Sequence, residues 1–249
     1  MPMHFFDERW PVFYEDNHLL AVYKPAGLLV QADRSADPSL LELAKAWVKQ
    51  RHGKPGRVFL GLVHRLDRPV AGVMLFARTS KAAARLSEQI RARRVRKVYL
   101  AVVEGRPAPP SAARVDHIER SEGSSRIVAG PTAASREARL TYRVVGASED
   151  EGRSLVEIVL ETGRKHQIRL QMAHLGCPIA GDLRYGAPAP LPARRIALFA
   201  REIACTHPTR AETMTFRAPL PAGWPWASDE PPEQAPHWDW GEYERSLRF

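Results

Sequence analysis

The sequence reads as a mixed chain of short strands and a few helices, and three observations point to it. Strand-like stretches recur along its length, some alternating apolar with polar side chains and some wholly apolar, such as Val73-Met74-Leu75-Phe76-Ala77. Two helix starts carry caps: Ser39-Leu40-Leu41-Glu42 is a capping box, and Thr79 precedes apolar positions at helical spacing. The 249 residues suffice to bury a substantial core in one large domain or two small ones, and no stretch approaches the ~18 apolar residues of a membrane-spanning helix.

Each element follows in order. Met1-Pro2-Met3-His4-Phe5-Phe6-Asp7-Glu8-Arg9 lacks a basic region followed by an apolar run, so no signal peptide is expected. Val12-Phe13-Tyr14-Glu15 and Leu19-Leu20-Ala21-Val22-Tyr23 read as strands around the turn Asp16-Asn17, closed by Lys24-Pro25-Ala26-Gly27. The first helix presents Leu40, Leu43, Ala44, Trp47 and Val48 on one face and serves as scaffold. A basic, Gly- and Pro-containing link from Arg51 to Arg57 leads to a strand before His64. The second helix turns Ala83, Leu86 and Ile90 inward, then runs into Arg91-Ala92-Arg93-Arg94-Val95-Arg96-Lys97 and the strand Val98 to Val103. Residues 104 to 138 read as loops with one short hairpin, an insertion on the sheet. Leu140, Tyr142 and Val144 alternate as a half-buried strand, and Leu155 to Leu160 form a more central one. Ile168, Met172 and Leu175 lie on one helix face with Gly176 at its C-cap, so Arg169 opens a helix near the end of a strand.

Lysine and arginine exceed aspartate and glutamate by 37 to 28, a net charge of +9 with a sequence pI near 9.9. That balance suits a polyanionic partner, most naturally nucleic acid. The basic run from Arg91 to Lys97 is either a solvated face or part of that contact. Cys177 and Cys205 are the two cysteines, which leaves no disulfide framework or CxxC pair and implies a reducing compartment. With no Gly-rich phosphate loop, dinucleotide fingerprint or metal-ligand cluster in the sequence, no cofactor and no metal are expected. A cytoplasmic monomer is the corresponding expectation.

The densest chemistry lies in Val63-His64-Arg65-Leu66-Asp67-Arg68-Pro69-Val70-Ala71-Gly72. Asp67 sits between two arginines, and a nearby guanidinium favours an ionised carboxylate. It reads as an anion, a nucleophile or an electrostatic stabiliser and a poor general acid. Taken alone, the pattern is also that of a salt bridge beside a turn.

Together with Lys97-Val98-Tyr99, Thr162-Gly163-Arg164-Lys165-His166-Gln167-Ile168-Arg169, and Pro178-Ile179-Ala180-Gly181-Asp182 with Tyr185-Gly186, this segment resembles the catalytic elements of the RluA-type pseudouridine synthases. The resemblance covers about Val12 to Pro221. It implies an α+β fold, one catalytic domain over residues 1–226 on a large mixed, mostly antiparallel sheet, with helices and loops around a basic cleft. Many relatives carry a small RNA-binding domain before this point, and too few residues precede Phe13 to form one here. The implied partner is ribosomal or transfer RNA.

The resemblance also assigns roles. Asp67 acts at the ribose, by a covalent sugar adduct or by removing a ribose proton. Arg65 enters the RNA stack where the target base leaves it, Tyr99 supports the uracil and helps remove the proton from its ring carbon, and Arg169 pairs with Asp67. Arg93, Arg94, Arg96, Lys97, Arg164 and Lys165 hold phosphates. His64, Arg68, His166 and Gln167 count as RNA-facing, as does Lys24, for which turn shaping is an equal reading. The sequence departs from the family at Pro69-Val70-Ala71, Lys165, Gln171 and Phe199, positions that bear on RNA preference more than on catalysis. A glycosidase-like reading would want two carboxylates flanking the bond. A silent RNA-binding scaffold would explain the charge but not the three matching segments. Residues 227–249 carry six acids against two arginines, with Trp238, Trp240 and Tyr243. This tail either lies across the basic cleft or is an extension elsewhere.

Overall fold

A computed structural model describes residues 12–226, apart from 36, 122, 123, 149, 151, 193, 194 and 222. The readings made for the first residues and for the acidic tail therefore lie outside the described residues. Strands β1 (Val12–Glu15) and β2 (Leu19–Lys24) form a hairpin. Asp16 closes it, its Oδ1 accepting the N–H groups of His18 and Leu19 at 2.7 Å each. Helix α1 (Leu40–Arg51) begins at its capping box: Ser39 Oγ accepts the Glu42 N–H and bonds the Glu42 carboxylate.

After β3 (Gly61–Leu62) and β4 (Ala71–Ala77) comes α2 (Ser80–Arg91), whose Ala82 N–H bonds the Thr79 hydroxyl. Strands β5 (Arg96–Glu104), β6 (Ser111–Ser121), β7 (Ser124–Val128), β8 (Ser135–Ser148) and β9 (Arg153–Leu160) follow. Helix α3 (Gln167–His174), a 3₁₀ turn (Leu183–Tyr185), β10 (Leu198–Thr206) and β11 (Thr213–Arg217) complete the order.

The eleven strands of the described residues join one sheet in the order β1-β2-β4-β10-β5-β9-β8-β6-β7, with β11 on β10 and β3 on β4. Every pairing among the described residues is antiparallel except β4 with β10. This is the mixed, mostly antiparallel sheet of an α+β fold. The parallel seam sets Ala71 and Gly72 against Phe199 and Ala200. Gly72 has φ 135°, and a Cβ there would lie 2.2 Å from the Ala200 carbonyl oxygen, so glycine alone allows the approach.

The two halves of the sheet are built differently. Strands β2 and β4 are buried along their full length. Leu20, Val22, Met74 and Phe76 meet Leu40, Ala44 and Val48 of α1 in one core cluster, while Leu19, Ala21, Val73 and Leu75 meet Ala82 and Leu86 of α2 in another. Burial on both faces explains the unbroken apolar runs. Strand β9 instead alternates, half-buried then buried.

Residues 104 to 138 are not mainly loop. They contain β6, β7 and the first turn-side residues of β8, whose register runs from Ser111 opposite Arg143 to Glu119 opposite Ser135. In β6 the more exposed face holds Ser111, Ala113, Val115, His117 and Glu119, and the other face includes Arg114 and buried Asp116, so apolar and polar residues do not alternate cleanly. Cross-strand ion pairs, such as Arg126 to Glu119 at 2.9 Å, supplement the backbone ladder. Among the described residues no helix is long and apolar enough to cross a membrane.

Candidate active site

A cleft of about 1080 Å³ opens where the loop after β3, the start of β5 and the loop from β9 to α3 meet; Arg65, Asp67, Lys97, Tyr99, His166 and Arg169 line it. The Asp67 loop is held from below. Lys24, fully buried at the end of β2, donates through Nζ to the carbonyls of Pro25 (2.8 Å), Arg68 (3.2 Å) and Val70 (2.7 Å). Burial pulls its pKa down to about 7, with Asp67 opposing the shift. Lys24 is thus out of reach of RNA, and its reading as an RNA contact is corrected: it rivets the loop. The Val70 N–H closes the turn on the Asp67 carbonyl at 3.0 Å.

His64 fills a gap in the sheet. Strand β4 pairs with β10 at Ala71 and Gly72 and with β3 at Phe76 and Ala77, and between them the Leu75 N–H donates to His64 Nε2 at 3.0 Å. Burial, then the charge of Lys97, lowers the His64 pKa to about 3, so the ring is a neutral acceptor. Its nitrogen serves the sheet, although the half-buried ring still lines the cleft. Arg68 turns outward, pairing with Asp37 at 2.8 Å and donating from Nε to the Gly27 carbonyl at 2.8 Å.

The cation beside Asp67 is therefore neither of its sequence neighbours. It is Arg169, whose Nη1 donates to Asp67 Oδ2 at 3.2 Å. The same guanidinium makes a fork-to-fork pair with Asp182, Nε to Oδ2 at 2.6 Å and Nη2 to Oδ1 at 2.8 Å. Both partners of that pair are buried. The ring of Tyr185 lies 4.9 Å from the Arg169 guanidinium carbon. Asp182 was not singled out as a site residue from the sequence. Its Gly-Asp step within the segment after Pro178 was the signal, but nothing there says which cation it meets.

The loop into α3 is knit by its own side chains. Thr162 Oγ1 accepts the Arg139 N–H at 2.8 Å and donates to Gln167 Oε1 at 2.8 Å. Gln167 also accepts the Arg164 N–H at 3.0 Å and donates to the Arg139 carbonyl at 3.0 Å. With every polar atom engaged and 3% exposure, Gln167 is a loop clamp, which corrects its reading as RNA-facing. His166 occupies the left-handed region at φ 56° as the residue preceding α3. Its Nδ1 lies 2.7 Å from the Tyr185 hydroxyl and its Nε2 3.8 Å from Asp67 Oδ2. Arg164 lines the cleft and donates from Nε to the Glu137 carbonyl at 2.8 Å.

Tyr99 projects from β5 into the cleft. Burial, then the charge of Asp67, raises its pKa, so the hydroxyl is protonated at neutral pH. Lys97 is 8% exposed and lines the same space, with no ion pair to any described residue, and burial lowers its pKa. Arg65 and Lys165 also line the cleft without an ion pair to any described residue. Arg93 reaches it while pairing with Glu137 at 3.1 Å. The structure does not bring Arg94 or Arg96 to the lining: Arg94 pairs with Glu88 at 3.4 Å, and strand alternation turns Arg96 away from Lys97, toward Glu202. Gln171 is buried, its Nε2 on Asp116 Oδ2 at 2.8 Å, and Phe199 packs between Tyr23 and Trp224. Among the described residues no three His, Cys, Asp or Glu side chains stand close enough to hold a metal ion.

The sequence family described as RNA pseudouridylate synthase matches residues 18–174, a span that includes Asp67, Tyr99 and Arg169. The chain is 34% identical over 221 residues to the dual-specificity RNA pseudouridine synthase RluA of Haemophilus influenzae, covering 83% of this chain and 91% of that one. It is 36% identical over 223 residues to ribosomal large subunit pseudouridine synthase D of Xanthomonas campestris, covering 84% of this chain and 66% of the relative, about two thirds of that longer protein. Among solved structures, human RNA pseudouridylate synthase domain containing 4 superimposes with a TM-score of 0.71 at 26% identity, covering 85% of this chain and 88% of the human one.

Proposed function

The chain belongs to the RNA pseudouridylate synthase family, and from that premise we propose that its cleft converts specific uridines of structured RNA, ribosomal or transfer, to pseudouridine. The observation that carries this reading is the carboxylate of Asp67 at the cleft floor, held by Arg169, whose other donors are occupied by buried Asp182. The reaction breaks the bond from ribose to ring nitrogen, turns the uracil and rejoins it through carbon. An anion beside the sugar is what that requires, with no redox step or phosphate donor. Asp67 supplies it, whether by adding to the sugar or by removing a ribose proton.

The target base has to leave its stack, at a cost of a few kcal/mol. Arg65 is exposed and unpaired among the described residues, so its planar guanidinium is free to fill the vacated position. Tyr99 forms the wall against the extruded uracil; because its hydroxyl keeps its proton, it is not a resting phenolate base. Lys97, Lys165, Arg93 and Arg164 give the cleft its positive lining for phosphates. The names of the relatives, which cite the ribosomal large subunit and, for a relative in Pectobacterium carotovorum, tRNA, favour ribosomal or transfer RNA as the substrate class. On this reading the enzyme works in the cytoplasm, as a monomer and without a cofactor.

Pseudouridine mapping of total RNA from cells with and without the gene tests the reading, and Asp67→Asn tests its centre. The variant keeps the shape of the side chain and removes the anion. RNA affinity is expected within about threefold of wild type while turnover falls at least about a hundredfold. Turnover within tenfold of wild type would remove Asp67 from the chemistry.

A further inference from the structure

The two oxygens of the Asp67 carboxylate are not equivalent. Oδ2 accepts the Arg169 Nη1–H at 3.2 Å and faces His166 Nε2 at 3.8 Å. Oδ1 accepts no hydrogen bond from any described residue, and the side chain keeps 26% exposure to the cleft. His166 is itself fixed from behind, its Nδ1 at 2.7 Å from the Tyr185 hydroxyl. Burial raises the Tyr185 pKa, so that hydroxyl keeps its proton, and with the acceptor-only Asp67 carboxylate on the Nε2 side, the neutral tautomer that suits both contacts has Tyr185 donating to Nδ1. The remaining proton of a neutral imidazole then sits on Nε2, pointing at an anion. Neutrality follows from the surroundings: burial, with Arg169, Lys165 and Arg184 adding to it against the pull of Asp67, lowers the His166 pKa to about 4. The left-handed backbone at φ 56° is uncommon for any residue but glycine, and His166 holds it at the N-terminal edge of α3.

We propose that His166, set in its Nε2–H form by Tyr185, is a positioning residue that joins Arg169 in holding Asp67 Oδ2 and so presents Oδ1 to the ribose. The inference rests on the functional reading above and adds to it a named reacting oxygen and the device that selects it. Tyr185 ties the arrangement together, its ring against Arg169 and its hydroxyl on His166. The gap of 3.8 Å is one that a small closure over bound RNA would shorten to hydrogen-bond length.

The test compares His166→Gln with His166→Met. Both side chains have similar reach and meet the same left-handed backbone, but only Gln places an N–H donor near the original Nε2. With a transcript that wild type modifies, the Gln variant is expected to keep single-turnover rates within about threefold and the Met variant to fall at least about thirtyfold, both with unchanged RNA affinity. Tyr185→Phe keeps the ring on Arg169 and frees the imidazole. It is expected to lower kcat about fivefold with KM unchanged. Equal losses in Gln and Met, or losses that appear only in RNA affinity, would overturn the proposal and leave His166 as an RNA contact. If neither His166 variant folds, Tyr185→Phe decides alone, and normal turnover there overturns it. A wild-type protein that modifies no RNA taken from cells lacking its gene would overturn the functional reading, and the inference with it.

Discussion

Lys24 at the end of β2 and Lys97 at the start of β5 are both buried, 0% and 8% exposed, and differ in what their ammonium groups touch. Lys24 spends three donors on three backbone carbonyls, that of Pro25 beside it and those of Arg68 and Val70 in the Asp67 loop. Lys97 has no ion pair among the described residues and lines the cleft. Two arginines repeat the contrast: Arg169 is engaged by two carboxylates, while Arg65 lines the cleft with no ion pair among the described residues. Depth alone therefore does not give a cation its role. A buried cation whose donors are all accepted holds the protein together, and one left without acceptors waits for an anion from outside.

Removing Arg169 breaks that contrast most severely. Arg169→Met leaves Asp182 buried without a partner, which is expected to cost about 3–5 kcal/mol of stability and to abolish turnover. Urea melts and pseudouridine formation read the two effects, and a wild-type melt would show that the arginine holds nothing. Lys24→Met comes next, with about 2–4 kcal/mol lost because three carbonyls lose their donor. Its pH dependence sharpens the comparison. The folded pKa of Lys24 is about 7 against 10.5 for the free side chain, so between those values the unfolded chain binds more protons and wild-type stability gains as pH rises. The variant lacks that gain, and its deficit should be larger at pH 9 than at pH 7. A deficit that shrinks with pH would contradict the buried, deprotonating lysine.

Lys97→Met is the mildest for the fold. Melting should be unchanged or slightly higher, since an unpaired buried charge is removed, while RNA affinity drops about tenfold and the salt slope of binding loses about 0.7–0.9. Unaltered affinity across a salt series would place Lys97 with the scaffold cations and remove the distinction.

The same physics explains what the sequence could and could not say. Strands β2 and β4 are legible because burial on both faces leaves the apolar runs Leu19 to Tyr23 and Ala71 to Ala77, and α1 and α2 because Ser39 and Thr79 cap them in fact. Strand β6 is not, since its more buried face carries Ala112, Arg114 and Asp116 while Val115 stands exposed on the other, which breaks the alternation on which a strand reading depends. Asp67, Tyr99 and Arg169 stood out through the segments that contain them, and the structure brings all three to one cleft. Asp182 escaped because its meaning lies in a contact with Arg169 across a turn. Lys24, Gln167 and Lys97 are polar residues in similar settings along the chain, and only the three-dimensional count of donors and acceptors separates the clamps from the open cation.

The parallel seam between β4 and β10 carries a consequence in time. Gly72 leaves the ribosome long before Ala200, its neighbour in the sheet. At about 5–20 residues per second, on the order of ten seconds separate the two. By then Asp67, Tyr99, Arg169 and Asp182 have all been synthesised, yet the strand that pins the exit of the Asp67 loop has not. A nascent chain halted before β10 would hold every reactive side chain without the strand that pins the exit of the Asp67 loop, so the site is complete only once β10 has been made.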